Sequence, residues 1–392
     1  MTRIGFFGIR NAGKSSLVNR ITNQEMSVVS ETKGTTTDPV KKTMEILPLG
    51  PVTIIDTPGL DDEGKLGEKR IGQTKKILRN CDIAVLVTIA DQPLNHSEEE
   101  VITIFQERQI PYIIVRNKID LAELKEDDNK EFVNNNNLIY TSTIKNIGIE
   151  ELKNAIGNLA PKEEKEIHLV SDFIQEKDIV VLVTPIDGSA PKGRLILPQQ
   201  LAIRDILDKH AIPIVTQPEE LEQTLNVLKE KLKLVITDSQ VFGKVKEIVP
   251  EEISLTSFSI LMARYKGFLD TALEGVSKIN QLNEGAKILI AEGCTHHKQC
   301  EDIGTVKIPK WLKEYTKKNL EFEWTNGMGF PEDLSNFDLI IHCGGCMLNE
   351  NEMKFRMEEA MKQNVPFTNY GTVISYMQGI LERATRIINK NE

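Results

Sequence analysis

Gly8-Ile-Arg-Asn-Ala-Gly-Lys14-Ser15 lies between a short apolar run at 3–9 and a helical pattern from about Lys14 to Ile21. The stretch fits G-x-x-x-x-G-K-[ST]. Gly8 and Gly13 let backbone N–H groups face a phosphate. Lys14 reaches toward β- and γ-phosphates, and the Ser15 hydroxyl suits Mg²⁺, with Ser16 beside it in the same candidate site. A strand before the loop and a helix after it are the setting this motif requires. A glycine-rich turn with a chance lysine is the plainer alternative, and the motifs downstream weigh against it.

Asp56-Thr-Pro-Gly59 closes the apolar run Val52–Asp56. A carboxylate at Asp56 holds Mg²⁺ through water in such sites, and the Gly59 N–H senses a γ-phosphate. Further apolar runs stand at Ile83–Thr88 and Tyr112–Asn117. Helical patterns alternate with them at about 67–79, 97–108 and 148–159. This alternation predicts an α/β fold with a parallel sheet covered by helices on both faces. Asn134–Asn137 reads as an exposed loop.

Asn117-Lys118-Ile-Asp120 resembles the guanine-specificity motif of the GTPase superfamily. A carboxylate at Asp120 accepts both N1–H and N2–H of guanine, a pattern adenine does not offer. Ser142, in Tyr140-Thr-Ser-Thr, resembles the loop that supports this contact, with Thr143 where alanine is usual. Gly34-Thr-Thr-Thr-Asp38 resembles the G-T-T-R-D switch of bacterial tRNA-modification and Era-like GTPases. By that match Thr36 closes on Mg²⁺ and the γ-phosphate, and Thr37 replaces the usual arginine; a solvated polar loop is the alternative. Lys14, Thr36, Asp56 and Gly59 are therefore the candidate catalytic set. Leu60 stands where Ras-type enzymes carry a water-orienting glutamine, so another group must orient the water. Asp61, Asp62 and Glu63 are candidates, or simply acids of a solvated loop. Asn11 matches the asparagine that ligates K⁺ in potassium-activated relatives. A cation there takes roughly the place of an arginine finger, worth about 10³–10⁵ in rate; capping of the turn is the alternative.

The 392 residues suffice for two or three domains, with 40% hydrophobic and 27% charged residues in ordinary globular proportion. No run of about 18 apolar residues suggests a membrane span, and Met1–Gly8 lacks signal-peptide features, so the cytoplasm is expected. A net charge of −10 argues against a broad nucleic-acid or membrane-surface footprint. Five cysteines cannot make a disulfide framework in a chain of this length.

Pro161–Glu166 reads as a charged linker. Beyond it a second α/β unit is expected, with strands at Ile179–Thr184, Pro213–Thr216 and Leu234–Thr237 and helices at Leu197–Lys209 and Pro218–Lys231. Ser257–Leu282 is one long helical pattern. It leads into a third unit with strands at Lys287–Ala291 and Leu339–His342 and helices near 309–318 and 350–364.

Four of the five cysteines fall in that last quarter. Glu292-Gly-Cys294-Thr-His296-His297-Lys-Gln-Cys300 follows one strand and His342-Cys343-Gly-Gly-Cys346 follows another. Strand ends are where α/β proteins place ligand sites. Three cysteines with histidine suit zinc and iron–sulfur alike; buried cysteines acting as small apolar residues are the plainer alternative.

A GTPase domain followed by Cys-x-His and, 46 positions after His296, by His342-Cys-x-x-Cys resembles the [FeFe]-hydrogenase maturation GTPases, the HydF family. Gly193-Arg-Leu-Ile-Leu-Pro-Gln-Gln-Leu-Ala202 is similar to that family as well. The resemblance implies three domains: GTPase (1–162), dimerisation (170–265) and iron–sulfur cluster binding (266–392). It implies GTP and Mg²⁺ as ligands and a [4Fe–4S] cluster on Cys294, Cys343 and Cys346 with its fourth iron open or weakly held. His296 and His342 match motif positions, their ligation left open; His297 and Cys300 lie outside the motif. It further implies a homodimer that works with two radical-SAM maturases and carries the diiron subcluster precursor to the hydrogenase. Two alternatives stand beside it: a tRNA- or ribosome-directed GTPase with a structural zinc module, and a GTPase switch gated by its cluster.

Overall fold

The computed structural model describes residues 2–22, 40–46, 50–57, 74, 77–121, 137–159, 168–186, 195–228, 232–293, 302–327 and 329–389. The chain divides into two compact units, 1–165 and 166–392.

The first unit holds β1 (Thr2–Phe7), β2 (Val40–Ile46), β3 (Gly50–Asp56), β4 (Ile83–Ile89), β5 (Tyr112–Asn117) and β6 (Leu138–Thr141). They form one sheet in the order β2-β3-β1-β4-β5-β6. Every pairing is parallel except β2 with β3. The expected parallel sheet thus carries one antiparallel edge strand. Ile46 and Gly50 are too close in sequence for the crossover that a parallel pair requires. The inner strands β4 and β5 are buried on both faces, so they read as largely apolar runs. Ile4, Phe6, Val85 and Val115 pack on one side with Leu17, Val18, Leu152 and Ile156. Phe7, Leu86 and Ile114 pack on the other with Val101, Ile102 and Phe105. The helices that supply these residues are Lys14–Thr22, His96–Glu107 and Ile149–Leu159. Most of the helix expected at 67–79 lies outside the described residues.

The second unit contains two four-stranded sheets, each parallel throughout. One comprises β7 (Ile179–Val183), β8 (Ile212–Thr216), β9 (Leu232–Thr237) and β10 (Ser254–Ser257) in the order β10-β9-β7-β8. The other comprises β11 (Lys287–Glu292), β12 (Glu321–Asn326), β13 (Leu339–His342) and β14 (Phe367–Asn369) in the order β12-β11-β13-β14. A single hydrophobic core runs through both, from Val181 and Ile236 to Ile290 and Ile341.

The long helix expected over 257–282 is two helices, Phe258–Tyr265 and Leu269–Val276, followed by a 3₁₀ turn. The break falls at Gly267, whose φ of +73° lies in the left-handed region. This is the conformation that commonly ends a helix, and glycine takes it without a side-chain penalty.

At the edge of the first of these sheets, Ile212 N–H donates to Asp178 O (2.8 Å) and Thr184 N–H donates to Thr216 O (2.9 Å). Alternation therefore turns the backbone of Pro213 and Val215 outward. At the other edge the helix Leu381–Asn389 packs against β10. Among the described residues no helix is long and apolar enough to cross a membrane.

Candidate nucleotide site and cysteine loop

Strands β1, β3, β5 and β6 deliver their C-terminal ends to the same side of the sheet, the side where open α/β folds bind ligands. After β1, the loop at 8–13 leads into the helix that begins at Lys14. Arg10, Asn11, Gly13, Lys14, Ser15, Ser16, Thr57 and Lys118 line a cavity of about 550 Å³ there. Gly13 has φ +94°, and a Cβ on it would collide with the Asn117 amide. The Lys14 ammonium curls back to Gly8 O (2.7 Å) and Ile9 O (2.9 Å). It sits at the floor of the phosphate loop, a cation beside backbone N–H groups, which is how this loop type meets a polyphosphate.

Asn117 is completely buried. Its Nδ2 donates to Ala12 O (2.8 Å), and its Oδ1 accepts from Thr141 Oγ1 (3.1 Å). One amide thus ties the phosphate loop to the ends of β5 and β6. Lys118 follows with φ +68° and lines the cavity. Asp120 Oδ1 accepts from Ser142 Oγ at 2.5 Å, and Ser142 Oγ in turn accepts from Lys145 N–H (3.1 Å). The Ser142 hydroxyl holds the Asp120 carboxyl below the usual carboxylate range; partial burial opposes this, and Lys145 and Lys118 reinforce it. The carboxylate is therefore kept ionised as an acceptor. Ser142 and Ile147 exchange backbone hydrogen bonds at 3.0 and 3.1 Å and fix the loop between them. Thr141, Lys145 and Thr57, whose hydroxyl donates to Phe6 O (2.7 Å), complete the setting. The roles of Thr141 and Thr57 arise from contacts with strands 24 and 51 residues away and are not legible in the sequence, whereas Lys145 acts locally, on Ser142 three residues before it. Asp56 ends β3 opposite Phe6 of β1. Thr36, Thr37, Gly59, Leu60 and Asp61–Glu63 lie outside the described residues.

In the second unit, β11 and β13 run side by side, with Ala291 opposite His342. Their C-terminal ends bring Gly293 to Cys343. The Cys343 Sγ accepts N–H hydrogen bonds from Gly293 (3.1 Å) and from Gly345 (3.4 Å). Cys343 and Cys346 are free thiols, each partly buried. Burial pushes the Cys343 thiol up to about 11, and burial raises that of Cys346, which Lys266 partly offsets. Cys294, His296, His297 and Cys300 lie outside the described residues; Gly293, the residue before Cys294, marks where that segment leaves β11. Among the described residues no three His, Cys, Asp or Glu side chains gather as metal ligands.

His342 is fully buried. Its Nδ1 lies 2.7 Å from Cys343 O and its Nε2 lies 3.0 Å from Arg356 Nη1. Both ring nitrogens are engaged, so the ring has no lone pair left for a metal in this arrangement. Burial, reinforced by Arg356, lowers the imidazole to about 3, so the ring is neutral.

Comparison with known proteins divides the chain in the same sense. Residues 3–118 match the 50S ribosome-binding GTPase family. Residues 169–267 match the hydrogen maturase F dimerization domain, and residues 270–387 match the hydrogen maturase F tetramerization domain. The tRNA modification GTPase MnmE of Thermoanaerobacter sp. is 33% identical over 159 residues, 40% of this chain and 34% of that protein. GTPase Der of Sulfurimonas denitrificans is 36% identical over 129 residues, 32% of this chain and 26% of that protein. The match thus spans about a third or less of the length of these curated relatives. A solved structure of a probable GTP-binding protein engB covers 40% of this chain and 98% of its own, at 24% identity and a TM-score of 0.32. With a P-loop GTPase domain joined to both self-association domains of the maturase, the chain belongs to the hydrogen maturase F (HydF) family of GTPases.

Proposed function

We propose that this GTPase is a scaffold that binds a [4Fe–4S] cluster on Cys294, Cys343 and Cys346 and delivers the diiron subcluster precursor to [FeFe]-hydrogenase. In this reading it acts in the cytoplasm with two radical-SAM maturases. The observation that carries it is the pair of backbone N–H groups aimed at Cys343 Sγ, one of them from the residue before Cys294. Such donors suit a sulfur that carries negative charge, and hydrogen bonds to cluster sulfurs tune iron–sulfur centres. Two glycines between Cys343 and Cys346 let both thiols serve one group. Three cysteines leave the fourth iron without a ligand from this set, and an open corner can accept an outside ligand. The working division is GTPase 1–162, dimerisation 170–265 and cluster binding 266–392. The exposed Ile212 and Val215 on the open edge strand β8 support association through the middle region.

At the nucleotide, Lys14 neutralises the β- and γ-phosphates and Asp120 selects guanine. Ser15, Thr36 and Asp56 would hold Mg²⁺, which supplies positive charge against the developing phosphate charge. Asn11 would hold K⁺, and Gly59 would read the γ-phosphate.

Anaerobic reconstitution tests the reading. The wild-type chain should take up four irons and turn brown, with a spectrum altered by imidazole or cyanide. Serine at Cys343 should deplete the cluster and hydrogenase activation while GTP turnover persists, because the nucleotide site lies in the other unit. One tightly held zinc and no iron uptake would replace the scaffold with a GTPase that carries a zinc module.

A further inference from the structure

We infer that His342 and Arg356 are positioning residues for the cysteine loop: Arg356 orients the His342 ring, and the ring holds the backbone carbonyl of Cys343. The inference rests on the cluster reading of Cys343 and adds two residues that would touch neither iron nor sulfide.

The chain of contacts starts at a fully buried guanidinium. Arg356 Nε donates to Glu352 Oε1 (2.8 Å), and Arg356 and Glu352 are both almost completely buried. Its Nη2 donates to Gly327 O, just past the end of β12, and the guanidinium stacks on Phe330 at 5.1 Å. Its Nη1 meets His342 Nε2 at 3.0 Å. An arginine has donors only, so Nε2 must be the acceptor. The ring proton then sits on Nδ1 and is donated to Cys343 O at 2.7 Å. Stacking on Phe367 and an edge contact with Phe268 fix the plane of the ring.

A buried ion pair is a poor source of stability, since desolvation offsets most of its attraction. Its attested use is to specify one arrangement, and here the arrangement ends at Cys343. Arg356 gathers the end of β12, the end of β13 and the helix Glu350–Lys362 at one point. The Cys343 carbonyl is thereby anchored while its sulfur faces the Gly293 and Gly345 N–H groups. The same role in metal sites is played by partners one step removed from the ligands, which set ligand direction.

Two substitutions separate the two ends of the ring. His342→Asn keeps an N–H near the place of Nδ1 and loses the link to Arg356. His342→Gln keeps an acceptor near the place of Nε2 and loses the donor to Cys343. In the full-length metal-free chain, alkylation by iodoacetamide is followed at each cysteine by mass spectrometry. Cys343 should react about two- to tenfold faster in His342→Gln, the equivalent of one net buried hydrogen bond, and near the wild-type rate in His342→Asn. Cys346 should change less. After reconstitution, the reduced cluster should keep its EPR g-values in His342→Asn and shift them in His342→Gln. A double change, Glu352→Gln with Arg356→Gln, removes the ion pair without stranding a charge and should speed Cys343 alkylation as well. It stands in if His342→Gln fails to fold. Wild-type alkylation of Cys343 in a folded His342→Gln chain would overturn the inference. So would a directly coordinated nitrogen coupling in the wild-type cluster that both His342 variants lose. If the wild-type chain takes up no iron, the cluster reading falls, and the alkylation comparison still decides the positioning role.

Discussion

Asn117 spends both ends of its amide inside the protein, one on Ala12 O and one on Thr141 Oγ1. The motif that contains it was legible in the sequence; its partners were not, because they come from segments 105 and 24 residues away. Asp120 shows the same division. Its place beside a guanine is readable from spacing, whereas the 2.5 Å hydrogen bond from Ser142 requires the folded sheet. Asp120 has its pKa depressed in the folded chain. Its ionised form is therefore held as pH falls through the ordinary carboxylate range, and is lost only below the depressed value. Ser142→Ala removes the largest cause. The acid loss of GTP affinity should then begin at higher pH than in the wild type, as followed by titration with a fluorescent GTP analogue. Superimposable profiles would remove Ser142 from that role. Asn11, held at φ +64° on the cavity wall, is the other residue with a sharp expectation. Turnover should rise markedly when K⁺ replaces Na⁺, and Asn11→Ala should lose the rise. Equal rates in the two salts would leave Asn11 as a turn residue, a role its left-handed backbone already suits.

Among elements, β4, β5 and β7 announce themselves as continuous apolar runs because both faces of each are covered. The strands β10 and β14 span four and three residues, too few to show a period. The edge strand β12, Glu321–Asn326, is largely exposed and reads as polar. The C-terminal helix Leu381–Asn389 also escaped the sequence reading, although its buried residues Ala384, Ile387 and Ile388 share one face. Its anchor is Arg383, which donates to Val249 O (2.9 Å), Pro250 O (2.5 Å) and Ile253 O (3.3 Å), the run that leads into β10. Arg383→Met leaves these carbonyls without their donor. It should cost about 2–3 kcal/mol in urea unfolding of the second unit, with GTP affinity unchanged. A loss within about 0.5 kcal/mol, the usual span of a surface change, would mean that the helix is held by its apolar face alone.

At the scale of the whole chain, the division at 165 and 166 separates the candidate nucleotide site from the cysteine loop at Cys343 and Cys346. A ligand stabilises only the cooperative unit that binds it. GTP analogue at about 100 times its dissociation constant contributes near 2.7 kcal/mol, or about 5–10 °C for a domain of this size. Calorimetry of the full chain should show one transition moved by that amount and one unmoved. Movement of both together would make the two units a single cooperative system.

The sheet β10-β9-β7-β8 has unlike borders. On the β10 side lies the helix secured by Arg383; on the β8 side the backbone of Pro213 and Val215 is turned outward, and proline contributes a carbonyl but no N–H. Head-to-tail growth would need a β8 border to meet a β10 border, and the latter is already taken. Between two copies of this sheet, the pairing left among the described residues is β8 to β8, through a twofold axis that uses both of those borders at once. Two copies that join through this sheet alone close at a pair.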